Sequence, residues 1–129
     1  MIKQADYESN CRNFTIPECL VIADPLRLQQ VFDNIIKNSY KYANTAIDIT
    51  AFIEEGRLFI EVKDYGSGVD ESELPLVTSK FYRAANSEKI DGYGLGLYLS
   101  KYFLERMEGG LYCENHESGF TVVLVLRLA

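Results

Sequence analysis

Three groups of residues in this 129-residue chain have the types and spacing to do chemistry. Asn34, Asn38 and Lys41 recur at i, i+4 and i+7, so on a helix they share one narrow stripe. A carboxamide oxygen is a hard, neutral ligand of the kind magnesium takes beside its waters, and a lysine one turn on can meet a phosphate. The same stripe also reads as a solvated polar face. The second group is Asp64-Tyr65-Gly66-Ser67-Gly68. A carboxylate fixed at a strand end can accept from an exocyclic amine such as that of adenine, while Gly66 and Gly68 let backbone approach a flat ring. Its plainer reading is a glycine-rich turn with Asp64 as a local cap.

The third group, Gly92-Tyr93-Gly94-Leu95-Gly96-Leu97, opens a helix. Unpaired N–H groups and the positive end of the dipole make such a terminus a phosphate site. It completes neither the dinucleotide pattern G-x-G-x-x-G nor a Walker loop. Between Thr78 and Lys101 the basic residues Lys80, Arg83, Lys89 and Lys101 outnumber the acidic Glu88 and Asp91, which favours an anion nearby. Without a ligand, the glycines would simply break the loop ahead of the helix.

Elements must position these groups. Asp24-Pro25 is a helix start, an N-cap followed by proline at the first helical position. Leu28, Val31, Phe32, Ile35 and Ile36 then form the apolar stripe of a helix reaching about Ala43, and Asn38 lies about 20° from Val31 at the edge of that stripe. A short strand over Cys19 to Ala23 leads in. Ile47 to Ile53 and Leu58 to Val62 alternate around Glu54-Glu55-Gly56-Arg57, which predicts a hairpin ending at Asp64. Asp70 to Lys80 holds one weak helical turn before a mobile loop. Leu95, Tyr98, Leu99, Tyr102 and Phe103 mark a second helix, with Gly109-Gly110 as its stop. Leu111 to Asn115 and the half-buried Phe120 to Leu128, whose other face Val123 and Val125 make partly apolar too, close the chain as a hairpin, and Met1 to Asn13 reads as a polar, frayed start. Paired strands separated by helices predict an α+β two-layer sandwich, a mostly antiparallel sheet with helices on one face.

Composition narrows the function classes. The length suits one domain over residues 1–129, and 47% hydrophobic with 25% charged residues excludes disorder. A net charge of −6 disfavours a general nucleic-acid or anionic-membrane binder. Phe120 to Leu126, the longest apolar run, is far short of the roughly 20 residues that cross a bilayer. No signal peptide opens the chain. Three cysteines without C-x-x-C spacing indicate neither a disulfide framework nor a zinc site, and fit a reducing cytosol.

The order of these features resembles the catalytic, ATP-binding domain of bacterial sensor histidine kinases, in the superfamily that also holds gyrase, the Hsp90 chaperones and MutL. Asp24 to Ala43 is similar to the N box, Asp64 to Gly68 to the first glycine box, Lys80-Phe81-Tyr82-Arg83 to the F box, and Gly92 to Leu97 to the second glycine box. The resemblance implies a Bergerat-type fold that binds ATP and Mg2+. It implies that Asn38 ligates magnesium with Asn34 beside it, Lys41 contacts the phosphates, Tyr42 packs beside the nucleotide and Asp64 binds the adenine amine. Gly92, Gly94 and Gly96 would hinge a lid running from about Lys80 to Gly94, from which Lys80 or Arg83 meets phosphate or the acceptor domain, and Leu95 and Leu97 would join these glycines in binding the nucleotide. Ser39 stands where alanine is usual, and Tyr65 where asparagine is usual.

Hydrolase members resemble one another in a glutamate base one turn before the magnesium asparagine; here that place is Asn34. An amide accepts no proton near neutral pH, and Asp33 points about 100° away, so rapid hydrolysis is not expected. Phosphoryl transfer needs mainly positioning and charge neutralisation. The one histidine, His116, falls in the final turn outside every motif and is expected to be a surface residue. The expected acceptor is therefore a histidine on a separate dimerisation domain, with a response regulator next in line and with neither nucleic acid nor direct membrane contact. The rival readings are a non-catalytic nucleotide-sensing module and a slow ATPase.

Overall fold

The computed structural model describes residues 11–15, 17–43, 46–66, 71–76, 78, 96–116 and 119–129. Along the chain run β1 (Cys11–Thr15), β2 (Val21–Ile22), α1 (Pro25–Ala43), β3 (Ile47–Glu54), β4 (Arg57–Lys63), a 3-10 turn (Glu71–Leu76), α2 (Gly96–Arg106), β5 (Gly110–His116) and β6 (Gly119–Leu128). Asp24 caps α1, its Oδ1 accepting the N–H groups of Leu26 at 3.0 Å and Arg27 at 3.3 Å. The expected stripe then does what its spacing requires: Leu28, Val31, Phe32, Ile35 and Ile36 are all buried. Ser39 is buried too, and its hydroxyl donates back to the Ile35 carbonyl at 3.1 Å, which satisfies a polar group standing in an apolar row.

The sheet runs β1-β3-β4-β6-β2, with β5 also on β6. All pairings are antiparallel except β1 with β3, so the mostly antiparallel α+β sandwich is found. Ile49, Ile60, Val62, Val122, Leu124 and Leu126 from the sheet meet α1 and Leu104 of α2 in one core. The β3–β4 turn has positive φ at both central residues, Glu55 at 50° and Gly56 at 77°, the twist that suits a two-residue hairpin. No helix among the described residues is long and apolar enough to cross a membrane.

Four expectations are corrected. Residues 11–13 of the supposedly frayed start belong to β1, which is recruited by a parallel pairing along the edge of β3 that its sequence does not announce. The lead-in strand is only Val21–Ile22, pairing with Leu128 and Arg127. β6 is not half-buried: Thr121 and Val123 on its outer face are buried as well as Val122 and Leu124, because β6 is central and flanked there by Glu61 and Lys63 of β4 and by Tyr112 and Glu114 of β5. Finally, α2 does not end on a left-handed glycine. Glu108 takes that conformation with φ 62°, while Glu108 N–H donates to Glu105 O and Gly109 N–H to Leu104 O in a Schellman arrangement. Gly109 is small for another reason: a Cβ there would collide with the Val125 carbonyl.

Candidate functional site

Asp64 sits one residue past the end of β4, where the β4–β6 ladder closes. Its N–H donates to the Phe120 carbonyl at 2.9 Å. The return bond is unusual, because the Phe120 N–H donates to Oδ1 of the Asp64 side chain at 3.2 Å. Gly66 N–H donates to the same oxygen at 3.1 Å. Two backbone donors thus fix the carboxyl through Oδ1, and Oδ2 takes no hydrogen bond from the described residues. The turn-capping reading of this motif is therefore found at Oδ1.

Only 5% of Asp64 is exposed. Burial pushes its carboxyl pKa above the ordinary carboxylate range, and the hydrogen bonds from Gly66 and Phe120 and the charge of His116 offset this only in part. A titratable group buried and aimed by backbone at a strand end is the kind of residue that functional sites hold.

Asn34 and Asn38 are both half-buried on α1, at the margin between its core face and solvent, as the angular position of Asn38 predicts. Neither carboxamide hydrogen bonds to another described residue. A neutral oxygen donor of this kind fits a magnesium ion that keeps waters and phosphates as its other ligands. The described residues contain no group of three His, Cys, Asp or Glu side chains that could hold a metal unaided, so a cation here would need a charged ligand to bring it. α1 packs against both α2 and β4, which puts the asparagine stripe and Asp64 on neighbouring elements.

Of the remaining expected site residues, Gly96 begins α2 and Leu97 packs against the core. Gly66 is placed by its bond to Asp64. Lys41 and Tyr42 lie on the last turn of α1, with side chains outside the described residues. Gly68, Lys80, Arg83, Gly92, Gly94 and Leu95 also fall outside them, as does the expected mobile loop.

Sequence reasoning missed His116. Rather than a surface residue, it is half-buried, with Nε2 2.8 Å from the Asp64 carbonyl oxygen and its ring edge-on to Tyr65, centroids 5.6 Å apart. Tyr65 in turn donates its hydroxyl to Asp48 Oδ2 on β3. Gly119, opposite His116 in the β5–β6 pairing, admits the Asp64 backbone: a Cβ at that position would strike its carbonyl oxygen. No local sequence signal marks His116, because its place is set by the β5–β6 pairing opposite Gly119.

Comparison with known proteins agrees with the α+β architecture. A family model described as histidine kinase-, DNA gyrase B-, and HSP90-like ATPase matches residues 23–129. The chain is 37% identical over 107 residues to the sensor protein VanS of Enterococcus faecium, covering 79% of this chain and 28% of that protein. It is 34% identical over 122 residues to the sensor histidine kinase WalK of Bacillus subtilis, covering 89% and 20%. The chain thus spans less than a third of the curated relatives it matches. Among solved structures, the catalytic domain of histidine kinase ThkA superposes with a TM-score of 0.75 at 26% identity, covering 98% of this chain and 82% of that one.

Proposed function

Because the chain belongs to the family of histidine kinase-, DNA gyrase B-, and HSP90-like ATPases, we propose that it is the catalytic domain of a two-component sensor kinase. In this reading it binds Mg-ATP and transfers the γ-phosphoryl group to a histidine on a separate dimerisation domain, which then serves a response regulator. Residues 1–129 form one such domain, working on the cytoplasmic side of the parent kinase. The observation that carries the reading is the buried Asp64, with Oδ1 tied to Gly66 and Phe120 and Oδ2 left to accept from the adenine amine.

Asn38 holds the magnesium ion, with Asn34 one turn before it on the nucleotide side of α1. The ion, when bound, neutralises phosphate charge. Lys41 meets the phosphates, Tyr42 packs beside the nucleotide, and Gly66 and Gly68 let backbone lie against the ring. Gly92, Gly94, Leu95, Gly96 and Leu97 bring N–H groups at the start of α2 toward the phosphates, and Lys80 and Arg83 contribute positive charge from the segment before it.

Asn34 decides between transfer and hydrolysis. A carboxamide does not abstract a proton from water, so the site holds ATP without activating a water molecule against it. An imidazole nitrogen needs no such activation. When the acceptor domain presents one in line with the γ-phosphorus, the N–P bond forms as the bond to the β-phosphate oxygen breaks and ADP leaves.

The test is single-turnover transfer of labelled γ-phosphate from ATP to a supplied phosphoacceptor domain. The reading predicts acceptor labelling that requires this chain, with little phosphate release when the acceptor is omitted. Nucleotide binding without labelling would favour a non-catalytic sensing module, and steady acceptor-independent phosphate release would favour a slow ATPase.

A further inference from the structure

Asp64 is held by more than its own turn. The ladder bond that its carbonyl would accept from Phe120 has gone to its side chain, so that carbonyl oxygen needs another donor. His116 Nε2 lies 2.8 Å from it. A carbonyl oxygen only accepts, so the ring nitrogen carries the proton and donates. The ring packs nearly perpendicular to that of Tyr65, which is itself anchored through its hydroxyl to Asp48 on β3. The side-chain bond that aims the carboxyl and the histidine bond that satisfies the displaced carbonyl are two halves of one arrangement.

We infer that His116, buttressed by Tyr65 and Asp48, is a positioning residue for purine recognition: its bond to the Asp64 carbonyl fixes the peptide from which the adenine-reading carboxylate projects. The inference rests on the assignment of Asp64 to the adenine amine. His116 touches no ligand itself; it acts through Asp64. Without its donor the Asp64 carbonyl competes with Oδ1 for the Phe120 N–H, and the carboxyl is left with the Gly66 bond alone to orient Oδ2. What is lost is the contact with the 6-amino group, while contacts to phosphate and magnesium stay as they were.

That selectivity supplies the test. Affinities are measured for Mg-ADP and for the Mg complex of purine riboside 5′-diphosphate, which lacks only the 6-amino group, in the unaltered chain and in His116→Leu, His116→Gln and Tyr65→Leu. The unaltered chain is expected to prefer ADP. His116→Leu should weaken ADP binding by about three- to tenfold, the worth of one hydrogen bond, and leave the des-amino nucleotide within about twofold. His116→Gln, whose amide N–H can reach the same carbonyl, should restore most of the preference, and Tyr65→Leu should reduce it in the same direction as His116→Leu. A preference for ADP that survives both His116→Leu and Tyr65→Leu overturns the inference, as does an equal loss for both nucleotides in both variants. An unaltered chain that does not distinguish the two nucleotides overturns the assignment of Asp64, and this inference with it.

Discussion

Asp64 and Phe120 face each other where β4 leaves the sheet, and they exchange one backbone bond and one side-chain bond in place of two backbone bonds. The ladder ends there because a carboxylate oxygen takes the place of a carbonyl. A strand that would otherwise continue is turned into a platform on which the carboxyl of Asp64 is held by backbone donors.

Such a platform costs stability. The Asp64 carboxyl titrates above its ordinary range because it is buried, so between the unfolded and folded values the native chain binds more protons than the unfolded one, and stability falls as pH rises through that window. Asp64→Asn keeps the acceptor for Gly66 and Phe120 and removes the buried charge. The variant is expected to melt at a higher temperature than the unaltered chain at neutral pH. The difference should shrink as pH falls below the ordinary carboxylate range, and thermal melts across pH without nucleotide measure it.

Asn38→Ala addresses the metal. Because the carboxamide is expected to contribute only where magnesium is present, the variant should lose about ten- to a hundredfold in ADP affinity with magnesium and little in its absence. Paired titrations with magnesium and with a chelator read the two numbers. An equal loss under both conditions would assign Asn38 to the nucleotide itself.

Ser100 on α2 is fully buried, and its hydroxyl has no hydrogen-bond partner among the described residues. Ser100→Ala removes an unsatisfied polar group and improves helix propensity, so it should stabilise the chain by about 1 kcal/mol, seen as a higher urea midpoint at unchanged slope.

Cys113 on β5 is a half-buried free thiol. Burial pushes its thiol pKa up to about 12, with Lys101 lowering it only slightly. Alkylation at Cys113 at pH 8 should be at least roughly a hundredfold slower in the native chain than in urea, as followed by mass spectrometry of the peptide that carries it.

The parts of this fold that follow local rules were legible from residues alone. Asp24, Pro25 and the apolar row from Leu28 to Ile36 state a capped amphipathic helix, and the alternation around Glu55-Gly56 states a hairpin. What escaped depends on partners distant in the chain. β1 is a strand because β3 offers it an edge, and Thr121 and Val123 are buried because β4 and β5 flank them. Glu108 takes the left-handed position because Gly109, the obvious stop, is needed one residue on, beside Val125. At the site, Asp64 could be picked from the glycines that follow it. His116 could not, since its role arises only when the β5–β6 pairing brings it across 52 positions to a carbonyl that the local turn has left without its ladder donor.

The central claim is that one buried carboxylate reads the purine. Calorimetric titration of the chain and of Asp64→Ala with Mg-ADP tests it most directly. The account predicts saturable binding by the unaltered chain and loss of most of that affinity in the variant, with the variant still folded by circular dichroism. Equal affinity in the two chains, or no binding by the unaltered chain, would contradict it.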